Sequence, residues 1–228
     1  SKLGAQTILV DKDEAALKKA VAKLGIGHAY FPIDVTKPDA ANQAMFAAIQ
    51  NFGGLDILIS NAGAAHAGPM LSISDDELRN AFELNFFSHY SFSKEAAKIL
   101  KTQNRGGQIL FNISKQAVNP GKNFGAYGLP KATTFFLMRQ LALELGSNGI
   151  RVNGVNADRI RSGLLTDDFI SSRAKSRGVS ESEYMAGNLL NKEVTAEHVA
   201  DAFTSLACAE STTGHVMTVD GGNIEASL

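Results

Sequence analysis

Short apolar runs and stretches of helical period alternate along the whole chain. Runs with strand character lie at 7–10, 29–33, 55–59, 107–113, 150–155 and 216–219. Between them, apolar positions recur at helical spacing and predict helices at 14–24, 38–52, 75–101, 127–145 and 196–208. This alternation predicts one α/β domain over residues 1–228. Residues 161–193 break the pattern with mixed, charged sequence, and we expect them to form a short helical lid.

The charge balance argues against two classes of partner. The chain has 22 Lys and Arg against 23 Asp and Glu, a net charge of −1. Proteins that bind nucleic acids or anionic membranes usually carry a clear basic excess, so neither partner is expected. The longest charge-free stretch, between Asp56 and Asp75, contains Ser60, Asn61 and Pro69 and is too polar to cross a bilayer.

Cysteine and histidine usage favours a cytoplasmic protein whose site contains no metal. Cys208 is the only cysteine, so no intrachain disulfide can form, and the first residues lack the apolar stretch of a secretory signal. The histidines show no metal-ligand spacing, and we expect packing or surface roles for them. They are His28, His66, His89, His198 and His215.

Tyr127 and Lys131 carry the clearest chemical signal. They are four residues apart at a predicted helix start, so both side chains leave the same face. Lowering a tyrosine pKa from about 10 to about 7 takes roughly 4 kcal/mol, which a nearby ammonium in a partly desolvated cleft can largely supply. Such a tyrosine acts as a general acid or base at neutral pH. Pro130 predicts that Tyr127 lies at the helix entrance, because proline is tolerated in the first turn.

Ser114 lies thirteen residues before Tyr127, in a loop that follows a predicted strand. Open α/β sheets bind ligands where strands end beside helix starts, so this hydroxyl is placed to bond a substrate oxygen. Each residue alone also fits an ordinary role, on a surface helix for Tyr127 and Lys131 and as a self-capping loop residue for Ser114. The motifs around them distinguish these alternatives.

From Gly4 to Gly222 the chain resembles the short-chain dehydrogenase/reductase family. The motifs occur in the family's order, and Asn85, Ser114, Tyr127 and Lys131 fall on the positions of its catalytic tetrad. The other matching segments are Ser60-Asn61-Ala62-Gly63, Gly149-Ile150-Arg151-Val152-Asn153 and Val219-Asp220-Gly221-Gly222. The resemblance implies a Rossmann-type doubly wound parallel sheet. It also implies an NAD(P)-dependent oxidoreductase that interconverts a secondary alcohol, or a sugar-derived hydroxy compound, and a carbonyl compound.

The resemblance assigns a role to each member of the tetrad. Tyr127 exchanges a proton with the substrate oxygen, and Ser114 polarises that oxygen. Lys131 lowers the pKa of Tyr127 and binds the nicotinamide ribose, and Asn85 holds a water for proton relay. An alternative function, a non-catalytic assembly module or an inactive fragment without a phosphate-binding loop, is disfavoured because a scaffold has no use for this set.

The resemblance also assigns cofactor contacts. Asp11 ends the first strand of the chain, where its carboxylate can bond two ribose hydroxyls and repel the 2′-phosphate of NADP. NAD is therefore the expected cofactor, although the adjacent Lys12 weakens the preference. The remaining expected contacts are Asp34 and Val35 at adenine, the turn Asn61-Ala62-Gly63, the pair Tyr127 and Lys131, and Ser162 near the carboxamide.

Two features depart from the family pattern. The strand end reads Asn112-Ile113-Ser114-Lys115, so an alternative alignment puts Lys115 on the catalytic serine; counting from both sides favours Ser114, with Lys115 as a substrate-side cation. Ala157-Asp158 replaces the usual Pro-Gly. The nearby Arg159 and Arg161 either meet an anionic group or lie solvated at a lid hinge. These departures and Asn223 resemble the dehydrogenase halves of bacterial bifunctional aldolase/dehydrogenase proteins of sugar catabolism.

The family's first strand and glycine-rich turn are not found in this sequence. Asp11 is the acidic residue expected about 20 residues after that turn, so we expect the strand and turn to lie upstream of Ser1, in a longer polypeptide that includes a further domain. The strands beside the missing one are then expected to lack ladder partners. The family resemblance also implies a homotetramer packed through the helices at 75–101 and 127–145, and residues 161–193 as its substrate lid.

Overall fold

The computed structural model describes residues 3–65, 67–163 and 165–223, and over these residues strands and helices alternate as predicted. His66 and Leu164 lie outside the described residues. The strands are β1 (Ile8–Asp11), β2 (Ala29–Pro32), β3 (Ile57–Ser60), β4 (Gly107–Asn112), β5 (Ile150–Ala157) and β6 (Val216–Val219). The helices are α1 (Glu14–Leu24), α2 (Ala40–Phe52), α3 (Asp75–Phe82), α4 (Ser88–Gln103), α5 (Gly125–Leu145), α6 (Asp167–Arg177), α7 (Glu181–Met185) and α8 (Ala196–Cys208).

All strand pairs in the described residues are parallel. β3, β4, β5 and β6 form a four-stranded sheet in chain order, whereas β1 and β2 form a separate two-stranded sheet. No ladder joins β1 to β3 within the described residues. On β3, Leu58 is buried while Ile57 and Ile59 are 40% and 50% exposed. Within the described residues β1 therefore pairs only with β2, and β3 only with β4, so each lacks a ladder partner on its other side, as expected from the sequence.

Helices cover both faces of the four-stranded sheet. On one face, Leu100 of α4 and Met138 of α5 pack with Ile109 and Phe111 of β4 in the largest core cluster. On the other face, α8 buries Phe203 and Leu206 against Leu110 and Val155. Strands of a parallel sheet that is covered on both faces are apolar on both sides, which explains the continuous apolar runs in the sequence. The fold is the predicted Rossmann-type α/β arrangement.

The helix predicted over 75–101 is continuous but contains one widened turn. Ser74 and Glu77 cap its start reciprocally, and three acidic residues lie in the first turn, where the helix dipole favours them. A π-helical turn over 83–87 then separates α3 from α4. Asn85 is completely buried in this turn. Such single π turns are often found at functional sites.

α5 begins earlier than predicted. Its first residue is Gly125, because the carbonyl of Phe124 accepts hydrogen bonds from the amides of Tyr127 (3.1 Å) and Gly128 (2.8 Å). Pro130 is therefore in the second turn, and the expectation that it lies in the first turn is wrong. A proline there removes one helical hydrogen bond, which a long, well-packed helix can tolerate. Tyr127 nevertheless lies in the first turn.

The segment 161–193 is helical and carries a small core of its own. α6 and α7 pack together around Ile170, Ala174, Tyr184 and Met185. Arg161 joins the two ends of the segment, because its Nη1 lies 2.6 Å from Asp167 and its Nε 2.7 Å from Glu193. Arg161 is therefore ion-paired within the segment, and its role toward a ligand stays a prediction.

Candidate active site

The predicted catalytic residues meet at the carboxyl ends of the central strands. Asn61 follows β3, Ser114 follows β4, and Tyr127 lies at the start of α5. Lys131 is one turn further along α5, on the same side as Tyr127. Open α/β sheets form their ligand sites at this edge, so the location agrees with a catalytic role.

Tyr127 is buried and bonded to Ser114. Burial raises the pKa of Tyr127 above its ordinary value, and a hydrogen bond with the Ser114 hydroxyl opposes this shift only in part. Desolvation penalises the charged phenolate, which explains the direction. The expected lowering of the Tyr127 pKa is not found in this structure. The same hydrogen bond places the Ser114 hydroxyl beside Tyr127, as the gap-free count from both sides predicts.

Lys131 is the most deeply buried cation near the site, with only 2% of its surface exposed. Its Nζ donates a 2.9 Å hydrogen bond to the carbonyl of Asn112 and lies 5.8 Å from the centroid of the Tyr127 ring. Burial lowers the pKa of Lys131 to about 8. The Asn112 carbonyl thus offsets part of the cost of burying the Lys131 ammonium. The positive charge of Lys131 does not outweigh the effect of burial on the pKa of Tyr127.

Asn85 anchors the turn that follows β3. Its Nδ2 donates to the carbonyls of Ala64 (2.9 Å) and Ala81 (3.1 Å), and its Oδ1 accepts from the Ala64 amide (3.3 Å). The backbone carbonyl of Asn85 accepts a 2.8 Å bond from the Thr134 hydroxyl. Sequence reasoning missed Thr134, although its position one turn after Lys131 on the same helix was available as a signal. The water-relay role of Asn85 stays a prediction.

The turn itself has room only for glycine at position 63. A Cβ on Gly63 would lie 2.9 Å from Asn85 Oδ1 and 3.6 Å from Lys131 Nζ. Asn61 is also held, because its Oδ1 accepts a 2.7 Å bond from the side chain of Asn112. The turn therefore approaches the catalytic side chains closely, and two asparagines fix its path.

His89 is a buried neighbour of this turn that sequence reasoning assigned only to packing. Its Nδ1 lies 2.6 Å from Ser60 Oγ, at the end of β3. Burial, and secondarily the charge of Lys131, hold the pKa of His89 well below its ordinary value. The imidazole is therefore neutral at physiological pH and supports the strand end.

The expected adenosine contacts lie on the other, two-stranded sheet. Asp11 ends β1 and is exposed; its Oδ1 accepts from the Asp13 amide at 2.9 Å. Asp34 follows β2, and bonds from the Thr36 amide (3.0 Å) and hydroxyl (2.7 Å) to one carboxylate oxygen lower its pKa. The neighbouring Val35 packs against the main core. The structure thus separates these residues from the cluster around Tyr127.

Comparisons with known proteins identify the family. A family model described as enoyl-(acyl carrier protein) reductase matches residues 1–223. The (+)-borneol dehydrogenase 1 of Salvia officinalis is 30% identical over 224 residues, which cover 96% of this chain and 84% of that protein. The chain belongs to the short-chain dehydrogenase/reductase family.

Two further likenesses concern a longer relative and the fold. The uncharacterized oxidoreductase YuxG of Bacillus subtilis is 35% identical over 198 residues, which cover 83% of this chain but only 29% of YuxG. The fold matches the carveol dehydrogenase of Mycobacterium avium, solved in complex with NAD, with a TM-score of 0.88 at 22% identity, covering 97% of this chain and 89% of that one. The resemblance found in the sequence is therefore confirmed at the level of family and fold.

The residues that depart from the family pattern contact one another. Asp158 Oδ2 accepts a 3.0 Å hydrogen bond from the side-chain Nδ2 of Asn223. The same oxygen lies 3.6 Å from Lys115 Nζ and 3.5 Å from Arg159 Nε. Arg159 also donates to the carbonyl of Tyr184 at 2.6 Å. Asp158 thus joins the end of β5 to the loop after β4, a link that the family's glycine could not make.

Ser162 lies beyond this cluster, at the start of the lid. It is exposed, and its hydroxyl lies 3.2 Å from the Ile160 carbonyl.

No group of three or more potential metal ligands was found among residues 3–65, 67–163 and 165–223. Within the same described part of the chain, no helix has the length and apolar character needed to cross a membrane.

Proposed function

We propose that this chain catalyses the NAD-dependent interconversion of a secondary alcohol and a carbonyl compound, with Tyr127 as the general acid and base. The observation that carries the proposal is the buried contact of Tyr127 with Ser114, one helical turn from Lys131. Two hydroxyls and an ammonium at the carboxyl end of a parallel sheet suit a substrate oxygen whose charge changes during the reaction.

In the direction of reduction, Tyr127 gives its proton to the substrate oxygen. Its raised pKa keeps the phenol protonated at neutral pH, so the donor is in the correct state. Ser114 is bonded to Tyr127, and its hydroxyl can donate to the same substrate oxygen when the substrate enters. In oxidation the roles reverse: the Tyr127 phenolate, stabilised by the ammonium of Lys131, accepts the proton of the substrate hydroxyl.

Lys131 is suited to hold a cofactor ribose as well as to stabilise the phenolate. One of its N–H groups bonds Asn112, which leaves two donors for ribose hydroxyls. NAD, when bound, would supply or accept the hydride. Gly63 supports this fit, because its lack of a side chain leaves space beside Lys131.

Asp11 favours NAD over NADP. Its second carboxylate oxygen accepts no hydrogen bond within the described part of the chain, so it can accept from ribose hydroxyls. A 2′-phosphate at the same place would meet like charge. The NAD complex of the carveol dehydrogenase of similar fold supports a nicotinamide cofactor.

Turnover of the full chain with NAD and a panel of secondary alcohols tests the proposal, with NAD binding measured separately by calorimetry. We expect Tyr127→Phe to reduce kcat by at least about 100-fold, the effect of losing a general acid, while NAD still binds. Tyr30→Phe, which removes a hydroxyl on β2 of the separate two-stranded sheet, serves as the matched control. Absence of both NAD binding and turnover would reject the proposal and favour the assembly module.

We also propose that the protein is a homotetramer packed through α4 and α5. Large apolar side chains are exposed on these two helices, and unmatched apolar surface of this kind marks interaction sites. They are Phe87 at the junction with α4, Tyr90 on α4, and Leu129, Phe136 and Leu143 on α5.

A further inference from the structure

Arg173 of α6 lies over the ring of Phe124, the residue just before the catalytic helix α5. Its guanidinium carbon is 5.4 Å from the ring centroid of Phe124 and 6.0 Å from that of Phe169. The two rings pack edge to face at 5.9 Å, which holds the guanidinium between α6 and the start of α5. The carbonyl of Phe124 in turn accepts from the Tyr127 amide. The lid therefore presents a cation at the start of α5, three residues before Tyr127 in the chain.

Among the described residues, Arg173 has no carboxylate partner and no hydrogen-bond acceptor. Its Nε is completely buried without a bond. Arg159 and Arg161, which flank the same region, are each bonded to a carboxylate. Buried donors in proteins are almost always bonded, so the exception at Arg173 calls for an acceptor that a ligand would bring.

The opposite side of the site has a cation that is already matched. Lys115 follows Ser114 directly and pairs with Asp158 at 3.6 Å. Arg173 is therefore the cation of α6 whose buried Nε has no hydrogen-bond partner among the described residues.

We propose that Arg173 binds an anionic group of the substrate, so that the substrate is a secondary alcohol, or its carbonyl counterpart, carrying a carboxylate or a phosphate. The inference rests on the function proposed above and names the substrate class of that site. Arginine presents a planar fork of donors that matches either anion, and the aromatic rings beneath it restrict its motion. The apolar shelf of Phe124 and Phe169 would contact the carbon chain between the anion and the reacting carbon.

A matched set of three-carbon secondary alcohols tests this inference. Propane-1,2-diol is neutral, lactate carries a carboxylate, and propane-1,2-diol 1-phosphate carries a phosphate. Binding of each to the full chain is measured by calorimetry with and without NAD, and kcat/KM is measured wherever turnover occurs. We expect one of the two anions to bind about 10- to 100-fold more tightly than the diol, as for a charged hydrogen bond. The carboxylate and phosphate arms decide which anion is preferred.

Two variants of the lid helix complete the experiment. Arg173→Gln should remove the preference for the anion and Arg173→Lys should keep part of it, because lysine retains the charge without the fork. Lys175→Gln, at an exposed position of the same helix, should leave the preference intact. Equal binding of diol and anions, or an anion preference that survives Arg173→Gln, would overturn the inference. Anion binding without any NAD binding would instead count against the proposed function alone.

Discussion

The Lys131 ammonium lies 2.9 Å from the backbone carbonyl of Asn112, inside a protein that leaves only 2% of that lysine exposed. The bond joins the catalytic helix α5 to the end of the central strand β4. Because burial lowers the pKa of Lys131 to about 8, keeping this group charged at neutral pH reduces the free energy of unfolding.

The free energy of unfolding should therefore rise with pH above 8. Between pH 8 and the ordinary lysine pKa of 10.5, the unfolded chain binds a proton at Lys131 that the folded chain has released, so raising the pH favours folding. The full gain is on the order of 3 kcal/mol. Urea unfolding at pH 7.5, 8.5 and 9.5 measures it, and Lys131→Met is expected to lack the rise. Equal pH dependence in both proteins would contradict the low pKa.

The two directions of the reaction should respond oppositely to pH. Reduction needs protonated Tyr127, whose pKa lies above its ordinary value, so kcat/KM for a carbonyl substrate should be nearly constant from pH 6 to 8. Oxidation needs the phenolate, so its kcat/KM should rise with pH by up to about tenfold per unit. Initial rates in both directions test this. A reduction rate that already falls between pH 6 and 7 would show that Tyr127 titrates lower than the structure indicates.

Replacing Asn85 should lower the stability of the turn after β3. Asn85→Ala leaves the half-buried amide and carbonyl of Ala64 without their side-chain partner, and we expect a loss of about 1–3 kcal/mol. Chemical denaturation measures the loss. Thr134→Val, which removes only the bond to the Asn85 carbonyl, is the milder comparison and should cost less. If both variants are as stable as the parent, these bonds do not hold the turn.

Gly63→Ala should weaken turnover more than folding. The added methyl group would lie within 2.9 Å of Asn85 Oδ1, so either the turn or the asparagine must move. We expect kcat/KM to fall by about tenfold or more, since displacements of about 1 Å at positioned groups have effects of this size. Gly146→Ala meets no atom within 4 Å and serves as the control. A full-activity Gly63→Ala enzyme would exclude a tight approach at this turn.

The tetramer proposal makes a prediction about α5. Phe136 is 70% exposed and Leu143 is 81% exposed, so a charge at Phe136 would be solvated in a monomer but buried in a tetramer. Phe136→Glu is therefore expected to dissociate the assembly, as seen by light scattering. The matched change Gln140→Glu, at an exposed and polar position of α5, should be milder. A parent protein that is already monomeric would reject the proposal.

The sequence by itself determined the fold class and most element positions. Apolar runs and helical periodicity located the strands and helices, because burial on both faces of a parallel sheet imposes continuous apolar strands. Helices α1 and α8 and strand β6 have the predicted bounds. The spacing of Ser114, Tyr127 and Lys131 was also sufficient to predict that they meet, since helix geometry and the strand end bring them to one place.

Only the tertiary structure decided the electrostatics and the exact turns. Whether Lys131 lowers the pKa of Tyr127 depends on how deeply both are buried, and burial is a property of the packed chain rather than of a four-residue spacing. The early start of α5 depends on the bonds made by the Phe124 carbonyl, and the widened turn at Asn85 on its contacts with Ala64 and Thr134. These interactions join residues distant in sequence, so no local pattern contains them. Arg173 is a further case, because the folded structure alone shows that its buried Nε has no hydrogen-bond acceptor among the described residues.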